Sequence, residues 1–457
     1  MSRDWLSPGM VECNPPASRN SEPMPMTAFS RASSASGLNL FHLRGQLLER
    51  LSMLEREPAT KPTSAPSQGR LLQHSLLTFL RNWGAVRASI RDQPKVSLDM
   101  DKIALFVVGQ FPPPVQGAAV ITEKLFNFAV AHKIAASSIS ISPGNSVGWR
   151  YHLIRLSRTI RGFVQLINVG HRIAIMSVDG GLGILYNLML AFAMRARQHK
   201  VLLYHHSASY VFSDSILVRC LITLAGPDSL HIMCSERMAA LFSRRYGARC
   251  RIIAVGNTAW MDSPKSYARA YRRKIRIGHL SGLTTDKGLI RAIDTLRELH
   301  RQRVEAELIL AGAPMNDLAN EIIARAQVEF ADAFQYLGVL SGGTKDEYYA
   351  NLDYFLFPSL YRHETQSLVV PEALAAGVPV IAHDHHFVGE LVGEKGGLLI
   401  PPGENFAMCA ANWIVSGDLE KRRGAARLQF DTLQLKAARQ KRHLLNLMVG
   451  STELRMD

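Results

Sequence analysis

What most constrains this chain is a rhythm that starts twice. Residues 103–108 are an unbroken apolar run ending at Gly109, which is how a strand buried on both faces of a parallel sheet reads. A loop, Gln110-Phe111-Pro112-Pro113-Pro114-Val115-Gln116-Gly117, hands it to a helix from about Ala118. Helical segments at 149–167 and 183–197 then alternate with strands at 172–178 and 201–204. After a polar, basic connector at 262–274, the expected hinge region on composition, the pattern restarts. A strand at 275–280 leads through 281–289 into a helix to about Gln302, and strands follow at 307–311, 354–357, 380–382 and 398–400. Alternation of this kind predicts an α/β fold of doubly wound parallel sheets, and its restart predicts two of them.

The length of 457 residues agrees, since it exceeds a single ordinary core. The expected division is an N-terminal extension at 1–100, sheet domains at 101–265 and 266–430, and a C-terminal helix and tail at 431–457 that returns toward the first domain. The extension begins as a Ser-, Pro- and Ala-rich stretch expected to be disordered. It then holds an amphipathic helix at about 70–92. There Leu72, Leu76, Phe79, Leu80, Trp83, Val86 and Ile90 share one face, opposite Arg70 and Arg81. That helix either lies on a membrane surface or packs on the following domain.

Composition excludes several classes. A hydrophobic share of 47% with 20% charged residues is that of a soluble globular protein. The longest apolar stretch, 181–194, is broken by Asn187 and is shorter than the roughly 20 residues a bilayer core requires. Five cysteines without any Cys-x-x-Cys pair indicate neither a disulfide framework nor a zinc ribbon, and so a reducing cytoplasm. His383, His385 and His386 diverge along an extended segment without an acidic partner, so no metal site is expected. The net charge of +15 calls for an anionic partner or serves solubility. Nucleic acid is set aside because no recognised module is present and only 8% of residues are aromatic. An anionic membrane surface, reached by basic residues such as Arg150, Arg155, Arg158 and Arg161, or a lipid-linked diphosphate fits better.

The chemistry concentrates at 357–380, Phe-Pro-Ser-Leu-Tyr-Arg-His-Glu-Thr-Gln-Ser-Leu-Val-Val-Pro-Glu-Ala-Leu-Ala-Ala-Gly-Val-Pro-Val. A strand ends at Pro358-Ser359, and a polar turn leads into an apolar helix that Gly377 and Pro379 stop. Thr365, Gln366 and Ser367 would then stand at a helix start, whose free N–H groups and dipole suit a diphosphate. Pro371 belongs near the first turn. Glu364 would lie beside the phosphates, and Glu372, about two turns on, could accept two hydrogen bonds from a ribose diol. The bland reading of the same residues is a solvated helix with two surface glutamates.

Glu364 and Glu372 separated by seven residues, followed by Ala373-Leu374-Ala375-Ala376-Gly377-Val378-Pro379-Val380, resemble the donor-site motif of the family 4 retaining glycosyltransferases. Lys287-Gly288 is similar to that family's Lys-Gly pair. The resemblance implies the GT-B architecture, two Rossmann-like halves facing a cleft, with donor on the second and acceptor on the first. It implies that Glu364 and Lys287 are catalytic and that Glu372, Thr365, Gln366, Ser367, Gly282, Gly312, Leu337 and Gly338 line the donor site. Gly117, at the Pro-rich first loop, is implied on the acceptor or sugar side. His205 and His206 are expected there too, because they follow a strand at the carboxyl edge of the sheet. The family usually has an arginine where Gly282 stands, Gly-Phe-Gly where Thr365-Gln366-Ser367 stands, and two glycines where this chain has His385-His386.

The implied activity is transfer of a sugar from a nucleotide diphosphate sugar to a glycan or lipid-linked acceptor, with retention, in cell-surface polysaccharide or glycolipid synthesis. The nucleotide sugar is then a substrate, with no cofactor and no metal. The site would be cytoplasmic, on the inner face of the membrane if peripheral. Two readings remain beside it: a nucleotide-sugar epimerase on the same fold, and a non-catalytic nucleotide-sugar-binding scaffold subunit.

Overall fold

The computed structural model describes residues 104–114, 116–247, 250–261 and 273–449, all within one compact unit, Gln73–Asp457. The N-terminal extension, with the amphipathic helix expected at about 70–92, and most of the 262–274 connector lie outside the described residues.

The first half runs β1 (Leu105–Gly109), α1 (Gly117–Ala131), β2 (Ala136–Ser140), α2 (Gly148–Ile167), β3 (Ile173–Val178), α3 (Ile184–Ala196) and β4 (Lys200–His205). It continues with the short α4 (Ser209–Phe212), α5 (Ile216–Ala225), β5 (Leu230–Met233), α6 (Glu236–Tyr246) and β6 (Arg251–Ala254). The second half runs β7 (Ile275–Leu280), α7 (Leu289–Arg301), β8 (Ala306–Ala311), α8 (Asp317–Phe330), β9 (Phe334–Tyr336), α9 (Gly343–Ala350) and β10 (Tyr354–Phe357). Then come α10 (Val369–Ala375), β11 (Val380–His383), α11 (Val388–Val392), β12 (Gly397–Ile400), α12 (Phe406–Val415) and α13 (Leu419–Val449).

Each half is a six-stranded sheet, ordered β2-β1-β3-β4-β5-β6 and β12-β11-β10-β7-β8-β9, with every pairing parallel. The apolar runs explain the central strands: β1 is buried along its whole length, and so are β10 and β11. β2, Ala-Ser-Ser-Ile-Ser, has no such run and was not anticipated. It is an edge strand, where polar residues can face water. Helix starts follow the usual chemistry, with Ser215, Ser235, Asn316 and Asn405 capping α5, α6, α8 and α12.

The 31-residue α13 crosses between halves, running unbroken through residue 430, where the sequence suggested a division. Ala426 and Phe430 belong to a core of the second sheet. Ala437, Leu444 and Met448 belong to the core of the first. Gly256 N donates to Gln440 Oε1 at 2.9 Å, Lys200 Nζ to Leu447 O at 3.2 Å, and Lys436 pairs with Glu236 at 2.9 Å.

One expected site residue belongs to the core. β4 includes His205, one residue beyond its expected end, and His205 is fully buried. Its Nδ1 meets the Tyr210 hydroxyl at 2.9 Å and its Nε2 meets His231 Nδ1 at 3.0 Å. It therefore has no ring nitrogen left for a sugar. Burial pushes the pKa values of His231 and His279 down to about 4 and that of His205 well below its ordinary 6.5. Such bases bind fewer protons folded than unfolded, so their stability contribution is complete above pH 6.5 and lost as pH falls toward 4. At roughly 1.4 kcal/mol per pH unit, going from pH 6.5 to 5 costs about 2 kcal/mol for His279, and His231 and His205 act in the same direction. The melting temperature at pH 5 is expected several degrees below that at pH 7.5, and equal values would mean these rings are not held neutral.

Candidate active site

In the second sheet the order reverses between β7 and β10, and ligands of open α/β sheets bind at such a switch point. The loops leaving these two strands are tied together. Leu360 N donates to Asp286 O at 2.9 Å. Gly288 has φ +93°, and a Cβ there would meet the Pro358 oxygen at 2.6 Å, so only glycine allows this approach. Across the joint, Lys287 Nζ lies 2.5 Å from Glu364 Oε2 and 4.4 Å from the Tyr361 ring centroid. Glu364 is buried, 8% exposed, and Ser359 Oγ donates to the same oxygen at 3.4 Å. The two residues expected to be catalytic are thus in direct contact at the switch crevice.

The edge beyond is built from strand ends. Gly312 has φ +121° and would place a Cβ 1.8 Å from Ser281 O. Its N donates to Gly338 O at 2.7 Å, and the Tyr336 hydroxyl donates to its carbonyl at 2.9 Å. Leu337 is exposed beside Gly338, which has φ +68°. Gly282 is exposed, and a Cβ there would meet only Met315 atoms, at 3.4 and 3.5 Å. The site therefore has room for a larger side chain at 282.

Two expectations are corrected. α10 starts at Val369 behind Leu368, so Thr365, Gln366 and Ser367 precede the helix and Glu372 lies in its first turn. Gln366 holds the loop outside helical geometry by bonding the other half: Asn257 N donates to its Oε1 at 3.0 Å, and Asn257 Nδ2 donates to its carbonyl. Thr365 is buried, 8% exposed. Ser367 is half-buried. Glu372 already accepts hydrogen bonds, from Lys345 Nζ at 2.7 Å and from the Tyr349 hydroxyl at 2.9 Å. A diol would share the carboxylate with these groups or displace Lys345.

The first sheet has its own switch point, between β1 and β3. A cavity of about 110 Å³ opens there, lined by Gln110, Gln116, Ser177, Asp179, Gly180 and His206. His206 Nε2 is buried without a hydrogen-bond partner, and burial lowers its pKa to about 4. Asp179 takes hydrogen bonds from Gln110 Nε2 at 2.8 Å and Arg155 Nη2 at 2.5 Å. Burial still raises its pKa, against the lowering by Arg155. Gly117, exposed at the start of α1, adjoins cavity-lining Gln116.

The halves meet at this cavity. His363, the neighbour of Glu364, has Nδ1 3.3 Å from Ser207 Oγ, and a Cβ on Gly180 would lie 3.6 Å from it. His386 holds φ +53°, a conformation easier for glycine, and its ring lies 4.2 Å from that of Phe212. Phe387 is buried in the first sheet's core.

Sequence reasoning missed Asp179, although it follows a strand run as His206 does, and it left Arg155 facing solvent or lipid. Arg155 is instead 4% exposed and stacks over Tyr186, 4.6 Å from its centroid. Asn187 was a usable signal: a buried polar residue in an apolar helix needs partners, and it bonds Asp179 N and Ser177 O, each at 3.0 Å. Among the described residues no group of three or more His, Cys, Asp or Glu is placed to hold a metal ion.

Residues 274–414 match the family model described as glycosyl transferases group 1. Over 147 residues the chain is 30% identical to the amylovoran biosynthesis glycosyltransferase AmsK of Erwinia amylovora, covering 31% of this chain and 36% of that protein. Over 117 residues it is 27% identical to the alpha-monoglucosyldiacylglycerol synthase of Streptococcus pneumoniae, covering 25% of this chain and 26% of that protein. The chain thus aligns with about a third or less of the length of these relatives. The crystal structure of Anabaena Alr3699/HepE in complex with UDP superposes with TM-score 0.55 at 16% identity, covering 76% of this chain and 100% of that one. Two parallel sheets in this arrangement are a GT-B fold, and residues 274–414 are the part of it that carries the likeness to the group 1 glycosyltransferases.

Proposed function

We propose that this protein transfers a sugar from a nucleotide diphosphate sugar to a glycan or lipid-linked acceptor, as a family 4 enzyme that retains anomeric configuration. The observation that carries the reading is the Lys287–Glu364 contact at the second sheet's switch point. Breaking the anomeric bond builds positive charge on the sugar and negative charge on the departing diphosphate. Lys287 would turn from Glu364 to the β-phosphate and offset that negative charge without a metal. Glu364, relieved of its cation, would face the sugar and support the developing positive charge. Glu372 would take the ribose, and the Leu337-Gly338 edge the base. UDP in the HepE complex makes uridine the first base to try.

The acceptor would enter from the cavity under His363. There Asp179 and the unpartnered His206 nitrogen offer hydrogen-bonding atoms to a hydroxyl. The pathway would be polysaccharide or glycolipid synthesis at the cytoplasmic face of a membrane.

A panel of sugar nucleotides, each with extracted membrane lipids, tests the reading. The expected result is nucleoside diphosphate release that depends on acceptor, with an α-linked product from an α-linked donor by NMR. Interconversion of sugar nucleotides without acceptor would favour an epimerase. Tight nucleotide binding without turnover would favour a scaffold, a reading to which Gly282 and the occupied Glu372 carboxylate lend some weight.

A further inference from the structure

α3 is apolar almost all round. Ile184, Asn187, Leu190, Ala191, Ala193 and Met194 are buried. On the opposite side Leu185, Met189 and Phe192, with Leu182 from the 3-10 turn that leads into the helix, recur at intervals of three and four residues, and all four are exposed. That spacing makes a continuous stripe along the helix. α2 extends it: the Phe163 and Phe192 rings stack at 6.3 Å with an interplanar angle of 5°, and Trp149, at the start of α2, is 66% exposed. A patch of this kind marks a surface that is covered in use.

Charge says by what. Neither helix contains an aspartate or glutamate, while α2 carries exposed Arg150 and Arg161 and the end of α3 carries Arg195 and Arg197. The Arg150 guanidinium lies 5.7 Å from the Trp149 ring centroid. Residues 70–92 are basic as well, with Arg70, Arg81, Arg87 and Arg91 against Asp92. Laying that segment here would set like charges together, and so would pairing the patch with itself in a second copy. An anionic bilayer has the opposite sign and takes apolar side chains beside basic ones.

We propose that the outer faces of α2 and α3 form a docking surface for an anionic lipid bilayer, with the Leu182–Phe192 stripe seated among acyl chains and the arginines among headgroup phosphates. Leu182 is three residues from Asp179, so the stripe begins beside the first-sheet cavity. A lipid-linked acceptor would reach that cavity without leaving the surface. The docking itself does not depend on the reading of the active site.

The test is co-sedimentation of the full chain with vesicles of phosphatidylcholine alone, or mixed with phosphatidylglycerol, at low salt. Wild type is expected to sediment with the anionic vesicles and far less with the neutral ones. Combining Leu185→Ser, Met189→Ser and Phe192→Ser, or separately Arg150→Gln and Arg161→Gln, should weaken partitioning on the order of ten-fold or more. Melting curves report whether the triple variant folds, and Trp149→Ser, at a helix end, is the substitute if it does not. Wild-type binding by these variants would overturn the proposal. So would equal binding to both vesicle types, or loss only with Phe79→Ser and Trp83→Ser. A dimer in lipid-free solution that the stripe variants dissociate would identify a second copy as the occupant and likewise overturn it. Because the readout is lipid binding, its failure would leave the glycosyl-transfer reading standing.

Discussion

Replacing Lys287 by alanine is expected to lower turnover by about 10²–10³-fold, the usual loss when one charge-stabilising group is removed. It should also cost stability. Glu364 is only 8% exposed, and without Lys287 it becomes a buried carboxylate whose cation is gone. Breaking one side of a buried pair costs ~3 kcal/mol, whereas removing both charges costs much less. The double variant Lys287→Ala with Glu364→Gln should therefore recover melting temperature but not turnover. Recovery of both would reduce the pair to a structural tie, and the proposed chemistry would lose its support.

The largest stability effect is expected from Gly312→Ala. Its Cβ would fall 1.8 Å from Ser281 O, on a backbone with φ +121° that side chains rarely adopt. Strain and displacement together cost ~2–5 kcal/mol. Ser281 opens the loop that carries Lys287, so activity should fall with stability. Gly338→Ala is the comparison: φ is +68°, but no atom lies within 4 Å of the added carbon. It should cost only the ~1 kcal/mol of the left-handed conformation. Equal melting temperatures for the two variants would contradict the close approach of Gly312 to the 281 loop.

The features legible in the sequence were those that depend on short spacing. Strands buried on both faces, such as Leu105–Gly109, announce themselves as apolar runs, and the restart at Ile275 announces the second sheet. Glu364 and Lys287 were found because each stands just beyond a strand, within a motif whose resemblance assigned it a role. Partners far away in the chain left no such trace. Nothing near Gln366 in the chain points to Asn257, 109 positions away, and nothing near Glu372 points to Lys345 and Tyr349. His205 shows how narrow the margin is. Successive strand residues face opposite ways, so a strand one residue longer than expected turned it into the core and left His206 at the cavity.

α13 makes the molecule mechanically asymmetric. A stiff rod embedded in both halves resists sliding and shear between them, yet allows twisting about its own length. Any opening of the cleft would then be expected to turn about this rod, as a door turns on its pin. On the proposed reading, a sugar nucleotide would enter at the outer edge of the cleft, away from α13.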